Sequence, residues 1–143
     1  MKFITLVFVG LLSVSVNASS QAENKFVAKK GAAVTAFTKE DGFKLTKKAI
    51  ISLDVKFISL ASSKTWDVPK SSLVKIKNST GVYRRYDGWI TLVLVKVLKK
   101  KGELVTIKSV DLEEGDGVAT SGVKFLRMTD ADLNSDTVDA CAH

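Results

Sequence analysis

The segment Trp89-Ile-Thr-Leu-Val-Leu-Val-Lys-Val-Leu98 constrains this chain more than any other, because β-branched or large apolar residues fill both alternating positions before Lys96. Successive side chains on a strand point to opposite faces, so this run predicts a strand covered on both sides. A strand of that kind sits centrally in a folded sheet or barrel. Lys99-Lys-Lys-Gly102 reads as the turn that follows, and Glu103-Leu-Val-Thr-Ile-Lys108 alternates as its antiparallel hairpin partner. Upstream, Tyr86-Asp87-Gly88 is a second turn signal, so Val82 to Ile107 reads as a β-meander.

The rest of the chain is a series of short apolar or alternating runs separated by Gly, Asp, Asn and Lys. They predict further strands at Lys25–Lys30, Ala33–Thr38, Val55–Ala61, Leu73–Lys77, Gly81–Arg85, Gly117–Ser121 and Val123–Met128. Leu45-Thr-Lys-Lys-Ala-Ile-Ile-Ser-Leu53 instead places Leu45, Ala49, Ile50 and Leu53 on one helical face, with Thr46 as its N-cap. A second turn of helix is expected from Thr129 or Asp130. The expected fold is mainly β, a small antiparallel β-barrel or β-roll with one short helix near residues 46–53. Pro69 is the single proline, and no Gly/Ser linker interrupts the chain, which argues for one compact unit.

The chain begins Met1-Lys2, continues with the apolar run Phe3 to Val16 and then gives Asn17-Ala18-Ser19-Ser20-Gln21-Ala22. A basic start, an apolar core and small residues at its end read as a secretory signal peptide over residues 1–18, cleaved after Ala18, with Ala22 a second site that meets the same rule. The apolar run is short of the roughly 20 residues that a spanning helix needs. The expected address is therefore outside the cytoplasm, in the periplasm. Cys141 is the only cysteine, which excludes an intramolecular disulfide.

The formal net charge is +7. It is carried by scattered clusters, Lys29-Lys30, Lys47-Lys48, Arg84-Arg85 and Lys99-Lys100-Lys101, and residues 129–143 form an acidic tail with Asp130, Asp132, Asp136 and Asp139. Such a balance suits acidic partners or peripheral contact with an anionic membrane surface, while an exported chain has no nucleic acid to meet.

From Trp66 onward the succession of motifs resembles the C-terminal part of periplasmic adaptor proteins, the membrane-fusion subunits of tripartite efflux systems. The resembling stretch runs Val68-Pro-Lys-Ser-Ser-Leu-Val74, Gly81-Val-Tyr-Arg84, Trp89-Ile-Thr-Leu92, Val105-Thr-Ile107 and Asp111-Leu-Glu-Glu-Gly-Asp-Gly-Val-Ala-Thr-Ser-Gly122. More loosely, Gly42 to Lys56 is similar to the short helix and strand that introduce the β-domains of heavy-metal adaptors. The resemblance implies an adaptor-like β-domain over residues 23–128 that docks on an envelope transporter or on another adaptor protein. A full adaptor also has a long coiled-coil hairpin, and no heptads of that length occur here. A chain of this kind could not bridge two membranes.

Catalytic side chains are scarce. His143 is the only histidine and the last residue, a poor place for a base that a packed neighbour must orient. Asp111, Glu113, Glu114 and Asp116 crowd into one turn, where solvated carboxylates are ordinary. The chain is read as no enzyme. Cys141 and His143 stand two apart, so an extended tail would direct both to one side as ligands for Zn or Cu. That spacing supports an alternative reading, a small periplasmic metal or ligand carrier. The primary expectation is a non-catalytic protein-binding module, accessory or regulatory to a transporter. Its candidate partner-binding residues are Tyr83, Arg84, Arg85 and Tyr86, an aromatic and basic mixture suited to an interface.

Overall fold

A computed structural model describes residues 26–135. The segment read as a signal peptide lies outside them, as do Cys141 and His143. The described chain is mainly β. Its elements are β1 (Val34–Thr38), β2 (Gly42–Leu45), α1 (Lys47–Ser52), β3 (Lys56–Ser59), β4 (Trp66–Pro69), a 3-10 turn (Lys70–Ser72), β5 (Val74–Ile76), β6 (Ser79–Tyr86), β7 (Trp89–Lys101), β8 (Leu104–Lys108), β9 (Gly117–Ser121) and α2 (Val123–Asn134).

All pairings are antiparallel. The order runs β1-β2-β7-β6-β9-β3, with β5 also on β6, and β8 and then β4 leading off β7. The expected meander is present: β6 pairs with β7 from Tyr86↔Trp89 to Thr80↔Val95, and β7 then pairs with β8 from Lys96↔Lys108 to Lys101↔Leu104. Asp87 and Gly88 make the first turn with φ of 47° and 79°, the pair of positive values that a two-residue hairpin loop favours. The sheet does not close into a barrel, because β1, β3 and β4 each have one pairing partner. The β7 strand is long enough to change partners halfway, and a bulge between Val97 and Lys99 bends it there.

Alternation along β6, β7 and β9 divides the core in two. Val82, Val93 and Val118 join Trp66, Val68, Val105, Ile107, Leu60 and Leu112 in one cluster, so the β4–β8 arm covers that face of the main sheet. Their neighbours Tyr83, Ile90 and Ala119 face the other way and pack with Phe43, Val55, Val74 and Leu126 in a second cluster. Helices α1 and α2 supply Ile50, Val123, Leu126 and Leu133 to this second side. Fully burying a side chain such as Leu126 stabilises by about 1.5–3 kcal/mol.

Local chemistry explains where the strand and helix expectations held. Thr46 caps α1 by accepting from Ala49 N at 3.0 Å. The strand expected at Val123–Met128 is instead the start of α2. Gly122 enters the left-handed region at φ 71°, and a Cβ there would meet Val55 Cγ2 at 2.7 Å, so only glycine turns the chain from β9 into the helix. The expected strand at Lys25–Lys30 does not form over its described residues. The turn expected at Lys99–Gly102 falls later, because Lys99, Lys100 and Lys101 remain paired to Thr106, Val105 and Leu104. Exposed lysine stems tolerate a strand edge, and Gly102 and Glu103 make the reversal between the paired Lys101 and Leu104.

Candidate functional site

The residues Tyr83, Arg84, Arg85 and Tyr86 end β6. Strand alternation keeps them from forming one surface. Tyr83 is wholly buried in the second core cluster, and its hydroxyl donates to Asp130 Oδ2 at 3.0 Å. Burial, with the Asp130 charge second, pushes its phenol well above the ordinary tyrosine range. Tyr83 is therefore a core residue, and the expectation that it meets a partner is corrected. A tyrosine between Val82 and Arg84 gives no sign in sequence of which face the sheet will cover.

Arg84 points to the other side, where its Nη1 donates to the Asp111 carbonyl at 2.8 Å and lies 3.8 Å from Asp116 Oδ2. Asp116 is itself buried, and the same Oδ2 accepts from Glu113 N at 2.8 Å. The carboxylate thus ties the turn Glu113-Glu114-Gly115-Asp116 together while facing a cation. Gly115 N donates to Leu60 O and Leu60 N to Asp116 O, which fastens the turn to the chain end of β3. The acidic run Asp111 to Asp116 is a turn, as its crowding in sequence suggested, but Asp116 is buried and braced where a solvated carboxylate was expected.

Arg85 and Tyr86 remain exposed, Tyr86 at 64%. The Arg85 guanidinium sits 4.3 Å from the centre of the Phe57 ring, and Arg84 lies 5.8 Å from that of Tyr86. Such contacts contribute about 0.5–1 kcal/mol at exposed sites. Together with Phe57, Ile58, Ser59, Asp87 and Gly117 they border an open depression of about 400 Å³. Gly117 forms part of its floor, because a Cβ there would stand 3.4 Å from Phe57 Cβ and 3.5 Å from Arg85 Cβ. The β3 strand runs along the depression, and among the described residues it pairs only with β9, which leaves its other edge without a strand partner there.

No family model, curated protein or solved structure matches this chain.

Of the residues singled out in the sequence, Arg85 and Tyr86 lie exposed at this depression, while Phe57, Ile58 and the edge of β3 were not singled out. The signal for them was Val55-Lys-Phe-Ile-Ser-Leu60, a short run whose apolar residues fall on both faces as for an inner strand. Its place at the sheet edge depends on long-range order that no local pattern carries. The two tryptophans serve packing: Trp66 is buried with Nε1 donating to Ala61 O at 2.9 Å, and Trp89 lies under Lys44 Nζ at 4.8 Å. Among the described residues no group of three or more His, Cys, Asp or Glu side chains could hold a metal ion, and no helix is long and apolar enough to cross a membrane.

Proposed function

We propose that this protein is an exported, non-catalytic protein-binding module that acts in the periplasm as an accessory or regulatory subunit of an envelope transporter. It docks through the corner formed by Arg85, Tyr86, Phe57 and Ile58 and through the open edge of β3. The observation that carries this reading is the pairing of β3 on one side only, beside an exposed aromatic and basic corner. An open strand edge offers main-chain hydrogen bonds to an added strand, and the neighbouring side chains select which strand is taken.

Support also comes from where the adaptor-like motifs fall. Val68 to Val74 leads from β4 through the 3-10 turn into β5, Gly81 to Leu92 is the β6–β7 hairpin, and Asp111 to Gly122 is the braced turn and β9. These units are contiguous in the sheet, and the last two meet at the proposed corner. A resemblance of motifs does not by itself fix a partner, so the test must identify one.

A photoreactive side chain at Ile58, compared with one at Lys47 on α1, tests the reading in cells. Crosslinks to an inner-membrane transporter or a full-length adaptor are expected from position 58 alone, and Arg85→Glu with Tyr86→Ala should remove them. Identical products from both positions, or none from position 58, would sink the proposal.

A further inference from the structure

The outer side of the β7–β8–β4 arm, turned away from the core, is built differently from the corner at Arg85. Along β8, Leu104, Thr106 and Lys108 alternate with Val105 and Ile107, which are fully buried, so the first three point outward. The register sets Lys101 opposite Leu104, Lys99 opposite Thr106 and Lys96 opposite Lys108. Directly opposed residues share a face, which places four lysines on it. Leu94, two residues before Lys96, joins them at 55% exposed, beside Leu104 at 44%, and the bulge residue Leu98 is exposed at 47%.

Among the described residues the one acid on this face is Asp67, opposite Thr106. Its carboxylate already accepts from Thr106 Oγ1 and from Lys101 Nζ. Among the described residues Lys96, Lys99 and Lys108 have no carboxylate within ion-pair distance. Glu103, in the adjoining turn, is paired with Lys70 at 3.5 Å.

We propose that this face is a peripheral binding surface for anionic lipid headgroups. Charge complementarity calls for an anionic partner, and the residue types decide its class. Protein interfaces are depleted in lysine and enriched in arginine and aromatics. Single-stranded nucleic acid is held on aromatic platforms. This face has neither arginine nor aromatic residue and interleaves lysines with leucines on an open sheet. Lysine is a compact charge on a flexible apolar stem, able to reach a headgroup while a neighbouring leucine meets the acyl boundary. The surface is distinct from the Arg85 corner, so either proposal can fail alone.

The test is flotation of the full chain with vesicles of phosphatidylcholine alone and of equal parts phosphatidylcholine and phosphatidylglycerol. Every variant keeps the N-terminal apolar run, so its contribution cancels. Binding is expected to favour the anionic vesicles, and Lys96→Glu with Lys108→Glu should weaken it at least about tenfold. Lys47→Glu with Lys48→Glu changes net charge equally but should leave binding intact. Raising salt from about 0.1 M to about 1 M shortens the screening length from about 10 Å to about 3 Å and should release most of the protein. Equal binding to both vesicles, or equal loss in both charge-reversed variants, overturns the proposal. So does absence from both vesicles with Lys96- and Lys108-dependent capture of an acidic protein.

Discussion

Tyr83 and Asp130 join the central strand to the last helix: the buried phenol on β6 donates to the carboxylate on α2 across 3.0 Å. This bond reaches over the second core cluster, where Leu126 of the same helix is also fully buried. Helix α2 is thus held by an apolar contact and by a directional one that fixes its rotation about its own axis.

Tyr83→Phe should retain the packing and lose the bond. A hydrogen bond to a charged group is worth about 1.5–3 kcal/mol, and urea unfolding should show a loss near the lower figure because Asp130 can regain water. The variant should also change the alkaline limb. In the folded protein the phenol is held above its ordinary value of 10.0, chiefly by burial and then by Asp130. Below the unfolded-state value, that contribution is fully present. As pH rises beyond about 10 the unfolded chain ionises first, and stability falls by up to about 1.4 kcal/mol per pH unit for this one proton. Unfolding midpoints measured at rising pH should fall less steeply in Tyr83→Phe.

Asp116 is the second polar group on which a turn depends. Asp116→Ala removes the acceptor for Glu113 N and the carboxylate facing Arg84, and should cost roughly 3 kcal/mol because a partly buried cation is left behind. Asp116→Asn keeps an oxygen for Glu113 N and should cost distinctly less. Equal losses in chemical denaturation would mean that the charge facing Arg84, and not the bond from Glu113 N, is what this side chain contributes to the turn.

The β6–β7–β8 meander was legible because its alternation and its Asp-Gly turn are local. The helix at Lys47–Ser52 was legible for the same reason, through Thr46. What could not be read was anything set by distant partners. Leu94 looked as buried as Leu92, yet the cover supplied on that face ends between them: Leu92 packs on the second cluster and Leu94 is exposed. Val123 to Met128 is β-branched, aromatic and aliphatic enough for a strand, and becomes helical because Val123, Leu126 and Leu133 fall on one helical side against Tyr83 and Phe43. At the candidate site, Arg85 and Tyr86 were legible as exposed types, whereas Tyr83 shares its strand face with Arg85 and is buried because the second cluster, with Phe43 and Leu126, covers that face at Tyr83 and leaves Arg85 exposed.

Two glycines with positive φ should respond in opposite measure to alanine. Gly42 has φ 89°, and a Cβ there would fall on the carbonyl oxygen of Ile90, at the single register pair that joins β2 to β7. Gly42→Ala should cost at least about 3 kcal/mol, through strain and separation of the strands. Gly102, at φ 56°, has no atom within 4 Å of the same construction. Gly102→Ala should cost only about 1 kcal/mol, the intrinsic penalty of the left-handed region. Thermal unfolding of both variants separates crowding from backbone preference.

Asp67 offers a test of the outer lysine face at the level of one proton. Its carboxyl is held below the ordinary value of 3.8, first by the hydrogen bond from Thr106, against desolvation, which comes second and raises it, and then by smaller contributions from Lys101 and Lys99. A carboxyl depressed in the folded state contributes stability that is present above its unfolded value and is lost as pH falls through its folded one. Thr106→Val removes the largest cause and leaves the lysines in place, so the Asp67 titration followed by carbon NMR should move up toward 3.8. Lys101→Met should move it in the same direction by less. A larger response to Lys101→Met than to Thr106→Val would mean that the field of the lysines, rather than the hydroxyl, holds the carboxylate ionised, and that this face is more strongly positive than its single hydrogen-bonded acid suggests.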